Sequence, residues 1–363
     1  MDILEKAKIL GNAGQYDSCG PKNCEIKVKN SLGGLYHAKS EDPNCVMLKT
    51  LMSNACNQDC KYCPNSTHCE KKNIASYTPQ ELNLVFNKVR KDLKVNGLFL
   101  SSGIIGDADK ATEKMIEGLK LIRKNFKGYV HFKVLPGTSY ELIKQASELS
   151  NRMSINIEAP NKGIINEFST TKEFKTDILR RQAWIKNLKK SQSTQMIVNN
   201  LMSDKEIVNM VNWQYDKMKL KRVYYSAFKP IKGTPLQNKP AESIYRENKL
   251  YNVDALFRLY NYKKKEILSI MDNGMLPNID PKLAIAKNLF KDRIEINDAT
   301  YEDLIKIPGI GLISAEKIIS FKEKNKFKSF NDFNKKIKLG SYIEKAKPFL
   351  TINGERQKLL MDF

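Results

Sequence analysis

Between Cys45 and Phe228, short apolar β-rich runs alternate with stretches of helical period, and this constrains the fold more than any other feature. The runs are Cys45 to Leu51, Gly97 to Ser101, Tyr129 to Leu135, Met153 to Glu158, Thr194 to Val198 and Arg222 to Phe228. Buried parallel strands read as short continuous apolar segments. The helices between them are legible. Thr78-Pro79-Gln80-Glu81 joins an N-cap, a first-turn proline and a capping-box acid, ahead of Leu82, Val85, Phe86 and Val89 on one face. Asp109 to Phe126, Ser139 to Leu149, Lys172 to Lys189 and Asp204 to Met218 follow the same pattern. Six strand–helix units imply a parallel sheet with right-handed crossovers. Chemistry on such sheets gathers at the C-terminal ends of the strands.

Just beyond the first run lies Cys56-Asn57-Gln58-Asp59-Cys60-Lys61-Tyr62-Cys63. Its C-x3-C-x2-C spacing brings three thiolates into eight residues. Thiolates select soft or borderline metals, and a four-iron cubane normally takes four of them. Three leave one iron open to another ligand. A C-x2-C pair also suits zinc, with Cys69 as a fourth ligand.

The cysteine spacing, Tyr62 before the last cysteine and the apolar run before the first resemble the radical S-adenosylmethionine (SAM) enzymes. The resemblance implies a [4Fe–4S] cluster on Cys56, Cys60 and Cys63, with SAM on the open iron and a 5′-deoxyadenosyl radical as the product of its cleavage. It implies an α/β fold, the partial (β/α)6 barrel. It also directs attention to the strand ends. Ser101, Ser102 and Gly103 stand where the family carries a glycine-rich motif for the methionine amino group, without its usual acid. Lys133, a lysine within an apolar strand, calls for an anion such as the SAM carboxylate. Asn156 and Glu158 alternate with Ile155 and Ile157, which predicts one face for the polar pair. Phe228 ends the sixth strand in a position suited to flank adenine.

After Pro235 the alternation stops. A helical stretch from Ile244 to Met271 is predicted, with Leu250, Val253, Leu256 and Leu259 on one stripe. Farther on, Ile307-Pro308-Gly309-Ile310-Gly311 separates two short helices, Tyr301 to Lys306 and Leu312 to Glu323, with Thr300 as N-cap and Ala315, Ile318 and Ile319 inward. This resembles the helix-hairpin-helix motif. There, Pro308, Gly309, Ile310, Gly311 and Lys317 would form a DNA contact: the two glycines let the hairpin approach a phosphate closely, and backbone N–H groups at the start of the second helix face its oxygens, independently of base sequence. Phe327 to Ser341 reads as a degenerate second copy, retaining Gly340 and serving packing.

The expected organisation is an N-terminal extension at 1–44, the barrel at 45–240, a helical linker at 241–291 and an all-α helix-hairpin-helix domain at 292–363. The extension reads as irregular, punctuated by Gly11, Gly14, Gly20, Gly33 and Gly34, and its Cys19 and Cys24 are candidates for an auxiliary cluster with Cys45 and Cys69. The formal charge of +22 favours a polyanionic partner, although lysine-rich composition alone also produces a solvated basic surface. Seven cysteines in clustered spacing argue against a disulfide framework and for a reducing cytoplasm. No run reaches the length of a membrane span.

Cluster motif, barrel and hairpin together resemble the radical SAM proteins grouped as DNA modification or repair proteins and linked to a uracil-DNA-glycosylase-like partner. Arg222 to Phe228 and Glu158-Ala159-Pro160 carry that likeness. It implies DNA as the substrate polymer, an electron donor and that partner. RNA as the substrate, or a non-catalytic zinc-containing nucleic-acid-binding protein, are the competing readings.

Overall fold

The computed structural model describes residues 1–14, 35–37, 46–70 and 73–354. The chain divides into two units, Met1–Met202 with Asn209–Asn248, and Ser203–Val208 with Lys249–Phe363.

In the first unit, helix α1 (Ile3–Ala13) opens the chain, capped by the Asp2 carboxylate, which accepts from Ile3 N at 2.8 Å. The expectation of an irregular start is corrected there: Leu10 is wholly buried, and that apolar face outweighs the helix-weakening Gly11. Cys19, Cys24 and Cys45 lie outside the described residues.

Seven strands follow in sequential order: β1 (Leu35–His37), β2 (Val46–Leu51), β3 (Gly97–Ser101), β4 (Tyr129–Lys133), β5 (Arg152–Ser154), β6 (Ser191–Val198) and β7 (Arg222–Ala227). Strand β1 pairs antiparallel with β2; the other six are parallel and form the expected half-barrel. Helices α2 (Pro79–Leu93), α3 (Ala108–Arg123), α4 (Tyr140–Leu149), α5 (Lys162–Phe168), α6 (Arg180–Asn187) and α7 (Asp204–Asp216) connect them. Thr78 forms the predicted capping box with Glu81, and Leu82, Val85, Phe86 and Val89 are all buried.

Two elements depart from expectation in ways that shape the site. Strand β5 stops at Ser154, four residues early. Thr194 takes over part of the ladder, accepting from Ile157 N at 2.9 Å and donating to Ile155 O at 2.7 Å. Glu158 then rejoins β6 through a single bridge to Met196, with a left-handed φ of 62°. Left-handed backbone is uncommon for glutamate and is kept where the surroundings fix it. The helix expected from Lys172 begins as a π-helical turn only at Phe174, because Ser169 to Lys172 are drawn into side-chain bonding described below.

In the second unit, α8 (Ile244–Leu259, which begins in the first unit) and α9 (Lys264–Leu268) replace the single helix predicted from Ile244 to Met271. Asn261 breaks it with φ 55°. Leu250, Val253 and Leu256 are buried, but Leu259 is exposed, at the end of the helix where the stripe stops. Then come α10 (Pro281–Leu289), β8 (Ile294–Glu295), α11 (Tyr301–Lys306), α12 (Leu312–Lys322), α13 (Phe330–Ile337), α14 (Ile343–Ala346) and β9 (Leu350–Thr351), with β8 and β9 paired in parallel. Leu304, Ile307, Ile310, Ala315, Ile318, Phe327, Phe333 and Ile343 share one buried core. Among the described residues no helix is long and apolar enough to cross a membrane.

Candidate cluster site and hairpin

The cysteine run is the loop that leaves β2 at the C-terminal end of the parallel strands. Cys60 is buried; Cys56 and Cys63 are half-buried. Backbone N–H groups already point at two sulfurs, Gln58 N to Cys56 Sγ and Asn65 N to Cys63 Sγ, each at 3.4 Å. Such bonds favour thiolate and tune a bound cluster. Without a cation the three sulfurs oppose one another: burial first, then the neighbouring Cys60, pushes the Cys63 thiol up to about 12. A metal cluster would supply the positive charge this donor set lacks. Among the described residues no three His, Cys, Asp or Glu donors converge on a single ion. A cubane takes one thiolate per iron, so its ligands need not meet at one point. The alternative fourth ligand, Cys69, is engaged with the Cys63 carbonyl at 3.5 Å and the Ser66 hydroxyl at 3.7 Å.

Two neighbouring segments hold the loop. On one side is the turn after β3. Met52 N donates to Ser101 O at 2.7 Å, Gly103 N to Ser53 O at 2.7 Å and Asn57 N to Ile104 O at 2.6 Å. Gly103 has no room for a side chain; a Cβ there would stand 2.2 Å from Ala55 O and 3.2 Å from Cys56 Cβ. Ser102 Oγ donates to its neighbour Gly103 O at 2.7 Å, and Ser101 is buried.

On the other side is the segment after α5. Lys61 N donates to Phe168 O at 2.8 Å. The Asp59 carboxylate accepts from Thr170 N at 2.9 Å, from Thr171 Oγ1 at 2.8 Å and from the Ser169 and Thr170 hydroxyls. Partial burial pushes the Asp59 carboxyl up, but these donors outweigh it and hold it well below the usual carboxylate range.

The next residue, Lys172, reaches Tyr62 and Glu158. Its ammonium donates to Tyr62 Oη at 3.2 Å and pairs with Glu158 Oε1 at 3.7 Å, and both side chains of the ion pair are 9% exposed. Tyr62 donates to Glu158 Oε1 at 2.8 Å. Burial, then the Glu158 carboxylate, pushes the Tyr62 hydroxyl up and keeps it a donor. Burial would pull Lys172 down, but the charges of Cys60 and Glu158 outweigh it and raise it.

Lys133 ends β4, where burial pulls its ammonium down to about 8, opposed by Glu158 and reinforced by Lys172. Asn156 and Lys133 line the interior of the sheet with Phe99, His131, Gln195 and Tyr224. Phe228 follows β7 and is buried, its N–H bound to Val198 O at 2.8 Å. The contacts that tie Asp59 to Ser169, Thr170 and Thr171, and Lys172 to Tyr62 and Glu158, had no signal in the sequence; they join segments far apart in the chain.

In the second unit, Ile307 to Ile310 form a β-turn, with Pro308 at its second position and Gly309 at its third. Ile310 N donates to Ile307 O at 3.2 Å and Gly309 has φ 83°. Gly311 then caps α12. The second copy has its own turn, with Lys338 and Gly340 both at φ 59°, and is followed by a short 3-10 turn before α14. The two hairpins pack together: a Cβ on Gly309 would stand 2.2 Å from Tyr342 O. Lys317 is exposed on α12.

Residues 50–213 match the model of the radical SAM superfamily, and residues 290–351 match a helix-hairpin-helix motif. Among solved structures, the FeFe-hydrogenase maturase HydG from Carboxydothermus hydrogenoformans is similar at TM-score 0.50 and 12% identity, over 59% of this chain and 51% of that one. Methylornithine synthase is similar at TM-score 0.49 and 14% identity, over 58% and 61%. SuiB of Streptococcus suis, solved bound to S-adenosylmethionine, is similar at TM-score 0.48 and 10% identity, over 59% and 49%. At 12% identity the likeness to HydG is one of fold; the chain spans between 49% and 61% of the three proteins. No curated protein sequence matches the chain.

Proposed function

We propose that this chain, which carries the radical SAM domain of enzymes that use a [4Fe–4S] cluster and SAM, is a radical SAM enzyme acting on DNA. When bound, cluster and SAM together supply reductive cleavage of SAM to a 5′-deoxyadenosyl radical that abstracts a hydrogen atom. Every other part of the task falls to the chain. Cys56, Cys60 and Cys63 would hold the cluster as its three protein ligands, leaving room for SAM. The observation that carries this reading is the position of their loop, at the C-terminal end of the first parallel strand and locked to Gly103.

The SAM side is assigned to the adjoining strand ends. Ser101, Ser102 and Gly103 offer carbonyls and hydroxyls to an ammonium. Lys133 offers charge to a carboxylate. Asn156 and Glu158 offer acceptors to hydroxyl groups, and Phe228 an apolar surface to adenine. Tyr62 orients Glu158.

DNA as substrate rests on the helix-hairpin-helix match and the charge of +22. The backbone N–H groups of Gly309, Gly311 and the first turn of α12, with Lys317, would meet phosphate oxygens; Ile310 supports the turn instead, its N–H held by Ile307 O and its side chain buried. A duplex base would have to leave its stack to reach a buried site. An electron donor is required, and a uracil-DNA-glycosylase-like protein is the proposed partner. The expected compartment is the cytoplasm. The test is DNA binding at increasing salt, with transfer RNA as competitor. Steep loss of affinity with salt and preference for DNA support the reading; preference for transfer RNA moves the same chemistry to RNA.

A further inference from the structure

We propose that Lys282, which lies outside the matched hairpin residues 290–351, supplies a fixed positive charge to the hairpin's phosphate contact, and that Tyr260 holds it there. The inference rests on the DNA reading above and adds one residue to that contact. Both side chains belong to the second unit, as the hairpin does.

The geometry is direct. The Lys282 ammonium donates to Ile310 O at 2.7 Å. Ile310 stands between the two glycines of the turn, so its carbonyl carbon is bonded to Gly311 N. Bond lengths across one peptide unit then put the ammonium within about 5.3 Å of that nitrogen. The same ammonium lies 4.5 Å from the centre of the Tyr260 ring. A Cβ on Gly311 would stand 3.8 Å from Tyr260 Oη. Lysine, tyrosine and turn therefore form one group.

Helix chemistry alone would not choose this position. Lys282 is in the first turn of α10, behind the N-cap Asp280, where the helix macrodipole disfavours a cation. Its two contacts, a carbonyl oxygen and an aromatic face, carry no net negative charge, and a half-buried ammonium in such company is costly. Burial accordingly pulls it down to about 8, opposed by Asp280. A phosphate oxygen at Gly311 N would be a stronger partner than either contact. Lys282 also offsets the Ile310 carbonyl, whose partial negative charge beside Gly311 N would otherwise oppose a phosphate.

The experiment is fluorescence anisotropy of the full chain with a labelled duplex DNA of mixed sequence, at several potassium chloride concentrations. Urea unfolding of each variant checks the fold. Lys282→Gln and Lys282→Met should make the slope of log affinity against log salt shallower by about 0.9, and Lys282→Arg should keep the parent slope. If the neutral variants do not fold, acetylation of Lys282 in the parent, read by mass spectrometry with and without the duplex, decides. Protection by DNA supports the proposal, and equal acetylation overturns it. An unchanged slope in folded neutral variants, or an equal change in Lys282→Arg, overturns it while leaving the DNA reading intact. A parent chain with no affinity for the duplex overturns both.

Discussion

The Tyr62 hydroxyl donates to Glu158 Oε1 at 2.8 Å, joining the cysteine loop to a strand end 96 residues away. Glu158 holds a left-handed backbone to make this contact, and Lys172 completes the group. The cluster loop is thus fixed by the far side of the sheet as well as by its own strand.

Removing that hydroxyl should be costly. Tyr62→Phe takes a donor from a buried carboxylate, a loss of about 1.5–3 kcal/mol for a bond to a charged group. Glu158→Ala leaves Lys172 buried without its carboxylate and should cost about 3–5 kcal/mol. Urea unfolding of both variants against the parent measures the order.

Gly103 should tolerate no side chain. Gly103→Ala pushes a methyl against Ala55 O and displaces Cys56. Iron content should fall well below about four per chain while far-ultraviolet circular dichroism stays close to the parent. Gly106→Ala is the contrast: its φ of 74° is strained for alanine but its surroundings are open. It should lose about 1 kcal/mol of stability and keep its iron.

The hairpin separates shape from charge. Gly309→Ala should unfold or shift the turn, since both the φ of 83° and the Tyr342 carbonyl exclude a Cβ. Lys317→Gln should leave the fold unchanged. If Lys317 meets a phosphate, its loss makes the slope of log affinity against log salt shallower by about 0.9. Fluorescence titration at several salt concentrations reads the difference.

His131 gives a pH signature. Burial first, then Arg152 and Lys49, depresses it to about 3. It is neutral in the folded chain, its ring 2.8 Å from Ser154 Oγ. The unfolded chain binds the extra proton below pH 6.5, so stability is full above that pH and declines as pH falls towards 3. Between pH 7 and pH 5 the parent should lose about 2 kcal/mol more than His131→Gln. Equal losses in parent and variant would contradict this assignment.

The half-barrel was readable because parallel strands buried on both faces leave continuous apolar runs, as in Gly97 to Ser101. The cysteine loop was readable because its ligands are local. The contacts of Asp59 and Lys172 were not, since nothing in one sequence links the cysteine loop to a Ser-Thr-Thr-Lys run beyond the fourth strand. The end of β5 was misread for a related reason: Ile155 and Ile157 alternate as a strand should, but the Thr194 side chain replaces the neighbouring backbone in the ladder. Helix α1 did leave a signal, with Asp2 as cap and Ala7 and Leu10 one turn apart, which the glycines at 11 and 14 obscured.

The most direct test of the central claim is anaerobic purification with iron, sulfide and zinc measured together, followed by reductant and SAM. The account predicts about four irons per chain and 5′-deoxyadenosine formation that is lost when Cys56, Cys60 and Cys63 are all changed to alanine. It also predicts that formation rises on adding DNA. Zinc in place of iron, with no 5′-deoxyadenosine under any condition, would contradict it.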